Sequence, residues 1–119
     1  MPQVCDYMVH PGTFKLTHDD VDEVVVDFPK MGIGGQRDNC ILGMMVSTQN
    51  TTNNFTVEVR INGPLIFTYG PTGTNLTRFF TDVFHGLSYN KKNRVHVKIV
   101  AGSGSFSILN MILWFHRTI

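Results

Sequence analysis

The chain has 119 residues, of which 42% are hydrophobic and 16% are charged, and its 10 Lys and Arg against 9 Asp and Glu leave a net charge of +1. A chain of this length supports one hydrophobic core, so residues 1–119 are interpreted as a single domain. This balance gives no electrostatic excess to attract polyanions, so we expect neither a nucleic-acid-binding nor a membrane-binding protein.

The N-terminal region indicates in which cellular compartment the protein is expected. Asp6, His10 and Lys15 interrupt it, so it lacks the apolar stretch of a signal peptide. No later run approaches the roughly 20 apolar residues of a membrane span. We expect a cytoplasmic protein, or one exported by a route that the sequence does not encode. Because Cys5 and Cys40 form no cysteine framework, we expect both to be free thiols.

Alternation of hydrophobic and polar residues is the main pattern along the chain. It is clearest where Val57 and Val59 alternate with Glu58 and Arg60, which is typical of a strand with one buried face. Strands are predicted at Val21 to Phe28, Cys40 to Thr48, Phe55 to Ile61, Leu65 to Tyr69, Arg94 to Val100, Ser105 to Leu109 and Met111 to His116. Turns rich in Gly, Asn and Pro separate them, so we predict an all-β fold, a two-layer antiparallel β-sandwich of about eight to nine strands.

Residues 76–85 fit two structures. Leu76, Phe80 and Val83 have the spacing of one helix face, which favours a short helix. The β-branched and aromatic residues of the same segment favour a strand, which is the preferred alternative.

From Phe55 onward, about half of the chain, the order of parts is similar to a known family. A strand and tight turn at 55–63 lead to the return strand 65–69, then to the strand 94–100 and to a Gly-Ser hairpin before Met111 to Phe115. This order resembles the jelly-roll sandwiches of carbohydrate-binding modules and galactose-binding-like domains. The resemblance implies a non-enzymatic, lectin-like module without a required cofactor.

A carbohydrate ligand would use aromatic platforms and polar partners, because sugar rings have apolar C–H faces and polar hydroxyls. The candidate residues are aromatic side chains and polar side chains in or beside loops: Asn62, Tyr69, Asn75, Arg78, Tyr89, Asn90 and Trp114. Ordinary packing and turn formation are the alternative roles for each of them.

An acidic cluster is the candidate metal site. Its carboxylates, Asp19, Asp20, Asp22 and Glu23, are the ligand type that calcium prefers, and sandwiches of the resembled family often hold a structural calcium. The spacing matches no calcium-loop signature, so a solvated turn is the alternative. The five histidines lack zinc-ligand spacing, and no serine lies in a nucleophile motif, so we expect no enzyme.

The C-terminal segment is apolar on both sides. Met111, Leu113 and Phe115 would share one face, and Ile112 and Trp114 the other. A small sandwich buries only one face of each sheet, so the second face needs another cover. A second copy of the chain, giving a homo-oligomer, is the preferred cover, and a glycan is the alternative. A self-assembling structural subunit, such as a shell, fibre or appendage protein, is the alternative function.

Overall fold

A computed structural model describes residues 3–32, 34–36, 39–70, 77–88 and 90–118. These residues form eight β-strands and no helix: β1 Gln3–Thr17, β2 Glu23–Phe28, β3 Cys40–Gln49, β4 Thr56–Ile61, β5 Leu65–Tyr69, β6 Thr77–Phe84, β7 Asn93–Ala101 and β8 Ser105–Thr118. Within these ranges, therefore, no helix exists that could cross a membrane.

The strands form two antiparallel sheets. The first sheet has the order β1-β8-β3-β6, and the second has the order β2-β7-β4-β5. Every neighbouring pair is antiparallel. The prediction of an all-β, two-layer antiparallel sandwich is confirmed.

The core lies between the two sheets because each strand turns alternate side chains inward. Val95 and Val97 of β7 and Val57 of β4 are fully buried on the inner side of the second sheet. Leu42 of β3 and Leu113 of β8 are fully buried on the inner side of the first sheet. The outer side of the first sheet therefore carries the side chains that the core does not use.

Strand β1 was not predicted. It pairs with β8 along almost its whole length, with a register shift between His10 and Thr13. The shift contains Pro11 and Gly12, and the Gly12 N–H donates a 3.2 Å hydrogen bond to Oδ1 of Asn110 on β8. β1 therefore continues as one long strand through Pro11 and Gly12, with the register shift accommodating them.

The last two predicted strands are one strand, β8. Asn110 lies between them with a φ of 54°, a conformation that Asn tolerates better than most residues. The register between β8 and β3 shifts at this point, between Met44 and Met45. The local irregularity is therefore a bulge inside a continuous strand and not a hairpin turn.

Residues 77–84 form strand β6, so the short helix, the second alternative for 76–85, was wrong. β6 pairs with β3 from Cys40 to Ser47. A strand here supplies the ladder hydrogen bonds of β3 along its outer edge, which a helix could not do. The two cysteines form no disulfide, as predicted, with Cys5 exposed and Cys40 buried.

Candidate functional site

The outward face of the first sheet carries a row of large side chains. Trp114 on β8 lies directly between Tyr7 on β1 and Ile41 on β3. Tyr7 is 62% exposed, and Trp114 is half-buried beside it. Directly paired positions place Cβ atoms about 5 Å apart, so the two aromatic side chains share one surface.

The next rows along this face become progressively more polar. Ile112 lies between Val9 and Gly43, and Gly43 contributes no side chain. Leu109 then lies between Thr13 and Met45, and Ser107 lies between Lys15 and Ser47. We call this surface, Tyr7, Val9, Thr13, Lys15, Ile41, Met45, Ser47, Ser107, Leu109, Ile112 and Trp114, the outward face.

A shallow depression lies where the apolar and polar rows of the outward face meet. Its volume is about 230 Å³, and Thr13, Met45, Ser47, Ser107 and Leu109 are among the residues that line it. From Trp114 to Ser107 along β8 the face is roughly 20 Å long, at about 3.3 Å per strand residue. An extended ligand could contact the aromatic pair at one end and hydroxyl groups at the other.

A larger cavity lies elsewhere, at one end of the second sheet. It has a volume of about 760 Å³ and is lined by Asp27, Asn62, Gly63, Gly86, Ser88, Asn90, Lys91, Lys92 and Arg94. We call it the polar cleft. Strand ends and connecting loops form it, because the β4–β5 turn and the loop before β7 meet at the same end of the sandwich.

A buried asparagine organises the loop of the polar cleft. Asn93 is fully buried, and its Oδ1 accepts hydrogen bonds from the Ser88 N–H at 2.6 Å and from Asn62 Nδ2 at 3.0 Å. Its Nδ2 donates to the carbonyl oxygens of Ser88 and Pro29. Asn62 in turn donates to the Gly86 carbonyl and accepts from the Arg94 N–H. The network fixes the loop that carries the cationic residues.

The charges in the polar cleft are mainly positive. Arg94 Nε donates a 3.0 Å hydrogen bond to the Asp27 carboxylate. This hydrogen bond lowers the pKa of Asp27 and raises the pKa of Arg94, so the pair stays ionised. Lys91 and Lys92 are exposed at the same edge, and neither is among the ion pairs of the described residues.

The structure separates the predicted carbohydrate-binding residues. Asn62 and Asn90 both line the polar cleft. Trp114 lies on the outward face, on the other sheet. Tyr69 is half-buried and packs against Phe106, with ring centroids 5.8 Å apart. The polar and aromatic candidates therefore do not form one common site among the described residues.

Three further candidates cannot be compared in the same way. Arg78 lies in β6, where its backbone pairs with Val46 of β3. Asn75 and Tyr89 lie outside the described residues. Their role in carbohydrate binding stays a prediction.

The acidic residues proposed as calcium ligands have separate surroundings. Glu23 contacts His96 Nε2 at 2.9 Å and Lys98 Nζ at 4.0 Å, and the hydrogen bond with His96 lowers the pKa of Glu23. Asp19 and Asp20 are exposed in the β1–β2 turn. Across the part of the chain that the structure describes, no group of three or more His, Cys, Asp or Glu could hold a metal ion. The fourth residue of the set, Asp22, uses its backbone carbonyl to accept a hydrogen bond from the Ile99 N–H.

Tyr7 is the residue of the outward face that the sequence analysis missed. The reason is that no strand was predicted before Val21. Cys5, Tyr7 and Val9 alternate with Asp6 and Met8, and this alternation is the signal that could have revealed the strand. Its pairing with Trp114 joins the two ends of the chain and cannot be predicted from local pattern.

No protein-family model and no curated protein matches the chain. Solved structures do. The chain is similar to part of latent dimeric PorU from Porphyromonas gingivalis, with a TM-score of 0.76 and 11% identity over 98% of this chain and 13% of that one. It thus spans 13% of the length of PorU.

Carbohydrate-binding modules are also similar over their whole length. The xylan-binding module CBM15 has a TM-score of 0.65 and 10% identity, covering 96% of this chain and 97% of the module. A CBM36 module in complex with calcium and xylotriose has a TM-score of 0.54 and 11% identity, covering 94% and 98%. Identities this low show a common fold and no more. The chain has the β-sandwich fold of these carbohydrate-binding modules, which confirms the resemblance found in its sequence.

Proposed function

We propose that the protein is a non-enzymatic carbohydrate-binding module that holds a linear glycan along the outward face. The observation that carries this proposal is the adjacent pair of Tyr7 and Trp114 on the outward face. Aromatic rings stack on the apolar C–H faces of sugars. The fold similarity to two carbohydrate-binding modules supports the same function.

The change from apolar to polar side chains along the outward face suits an extended ligand. Sugar units at the aromatic end would stack on Tyr7 and Trp114. Units at the other end would lie over the depression, where Ser47 and Ser107 offer hydroxyl groups and Lys15 offers an ammonium group. A ligand of several sugar units therefore binds more tightly than a single sugar, because only the longer ligand contacts both ends.

Titration calorimetry with xylo-oligosaccharides of increasing length tests this function, since two structural relatives are described with xylan or xylotriose. We expect affinity to increase with length and to be lost in the double variant Tyr7→Ala/Trp114→Ala. The matched control is Val25→Ala/Val100→Ala, which removes exposed apolar side chains from the second sheet. A glycan array on which the wild-type protein binds nothing would refute the proposal.

A second candidate function is self-assembly, and a different observation favours it. Val9, Ile41, Met45 and Leu109 lie on the outward face and are each at least 37% exposed. Apolar side chains concentrated on one face are typical of surfaces that contact another protein copy. Because this contact would cover the surface proposed for the glycan, self-assembly through the outward face is an alternative to glycan binding there.

Light scattering after size-exclusion chromatography separates the two functions. A large, regular assembly that dissociates in the Leu109→Lys variant, from a protein that binds no glycan, would favour the structural subunit. A monomer that binds glycans would exclude it. The control is Val100→Lys, which introduces the same charge on the second sheet.

A further inference from the structure

The polar cleft has features of a ligand site that the outward face lacks. Its volume of about 760 Å³ lies within the roughly 300–1,000 Å³ of small-molecule sites. It belongs to the second sheet, whereas Tyr7 and Trp114 belong to the first. A ligand in the polar cleft would therefore bind independently of one on the outward face.

The cleft presents cationic side chains to a ligand. Lys91 and Lys92 have ammonium groups outside the ion pairs of the described residues. Asn90 also lines the cleft, and its Oδ1 accepts a hydrogen bond from the Ser88 hydroxyl at 2.9 Å. The one carboxylate of the lining, Asp27, is engaged by Arg94. A site with surplus donors and cations matches an oxyanion.

The loop that carries these donors is held in place without a ligand. Ser88 Oγ accepts hydrogen bonds from the N–H groups of Asn90 at 3.4 Å and Lys91 at 3.1 Å. The buried Asn93 holds Ser88 from the other side. Binding therefore orders little more than the lysine side chains, which reduces its entropic cost.

We propose that the polar cleft binds a saccharide that carries carboxylate or sulfate groups, with the oxyanion between Lys91 and Lys92 and a sugar ring in the cleft. The backbone N–H groups of Asn90 and Lys91 already donate to Ser88, so they form no nest for a small free anion. A larger ligand that fills the cleft gains more contacts. The saccharide part of this inference rests on the proposed function, whereas recognition of an oxyanion does not.

Titration calorimetry at low salt tests the inference with four probes: an oligogalacturonide, a neutral xylo-oligosaccharide of equal length, sodium phosphate, and a single-stranded oligonucleotide. We expect the double variant Lys91→Gln/Lys92→Gln to bind the oligogalacturonide at least about ten-fold more weakly, because charge-assisted hydrogen bonds are lost. The neutral oligosaccharide should bind this variant as it binds the wild type. Added salt should weaken only the acidic ligand.

The control Lys30→Gln/Lys98→Gln removes the same charge outside the cleft and the outward face and should retain affinity for the oligogalacturonide. Asn90→Asp, which keeps the acceptor for Ser88 but adds a negative charge, should also weaken binding. Unchanged affinity in Lys91→Gln/Lys92→Gln would overturn the inference. So would phosphate binding as tightly as the oligogalacturonide, or a single-stranded oligonucleotide binding more tightly. Loss of neutral-sugar binding in Tyr7→Ala/Trp114→Ala concerns the proposed function alone.

Discussion

Asn62 and Asn93 join two strand ends of the second sheet through a side-chain hydrogen bond of 3.0 Å. Asn62 has a φ of 57° at the turn after β4, and Asn93 begins β7. Asn62 was expected as a carbohydrate contact, yet its amide serves the loop network. Its position beside the polar cleft follows from that structural role.

Replacing Asn93 with Ala should lower the free energy of unfolding by roughly 2–4 kcal/mol, since each buried polar group left unpaired costs about 1–3 kcal/mol. The substitution leaves the Ser88 N–H and carbonyl without their partner. Urea unfolding measures the effect. The control Asn53→Ala, at an exposed turn position, should change stability little. An equal effect at both positions would contradict the role of the network.

Gly102 should not tolerate a side chain. Its φ is 77°, and an added Cβ would lie 2.6 Å from the Phe55 Cα and 2.7 Å from the Phe55 nitrogen. Because backbone atoms cannot give way cheaply, Gly102→Ala should destabilise the protein by about 2 kcal/mol or more. Gly63→Ala is the control, since its φ is 108° and nothing lies within 4 Å of the added Cβ. Thermal unfolding should therefore show a smaller loss for Gly63→Ala.

Trp114 is the single tryptophan of the chain, so its fluorescence reports on the outward face alone. Adding a glycan that stacks on Tyr7 and Trp114 should shift the emission maximum to shorter wavelength, because the indole loses water contacts. Tyr7→Ala should abolish most of this shift with little loss of stability, since Tyr7 is 62% exposed. A shift that persists in Tyr7→Ala would show that Tyr7 does not contribute to binding, and glycan binding without any shift in the wild type would place the glycan elsewhere.

Low pH should reduce the folding stability of the protein because two surface carboxylates become protonated. Hydrogen bonds from His96 and Arg94 lower the pKa of Glu23 below its ordinary 4.5 and that of Asp27 below 3.8. A lowered folded-state pKa contributes stability above the unfolded value, and this contribution is lost as pH falls through the folded value. We therefore expect urea midpoints to decrease below about pH 4.5. The effect is small because both groups are exposed.

The double variant Glu23→Gln/Asp27→Asn should flatten this acid dependence. Asp19→Asn/Asp20→Asn is the matched control, because these exposed acids belong to no ion pair within the described ranges. If the control flattened the acid dependence equally, general charge repulsion would be the cause.

Strands with strict local alternation were predictable from sequence. β5 was predicted with its observed bounds, Leu65–Tyr69, and β4 was predicted from Val57 and Val59. β1 was not predicted, and its Pro11 and Gly12 are accommodated by a register shift opposite Asn110. Such compensation depends on a partner strand from the other end of the chain, so local pattern does not contain it.

The candidate sites were predictable only in part, for the same reason. Trp114 was predicted to lie on the second apolar side of its strand, which the core does not cover, and the structure places it on the outward face. Its neighbour Tyr7 became visible only through strand pairing. Lys91 and Lys92 were not predicted as site residues, and their position beside a cleft follows from the meeting of separate loops.

The two thiols differ in their accessibility to a labelling reagent. Cys40 is fully buried, whereas Cys5 is exposed two residues before Tyr7, on the same side of β1. A maleimide dye should therefore modify Cys5 selectively in the folded protein. The attached fluorophore would sit at the margin of the aromatic row, where an arriving sugar chain or second protein molecule would change its emission without any engineered cysteine.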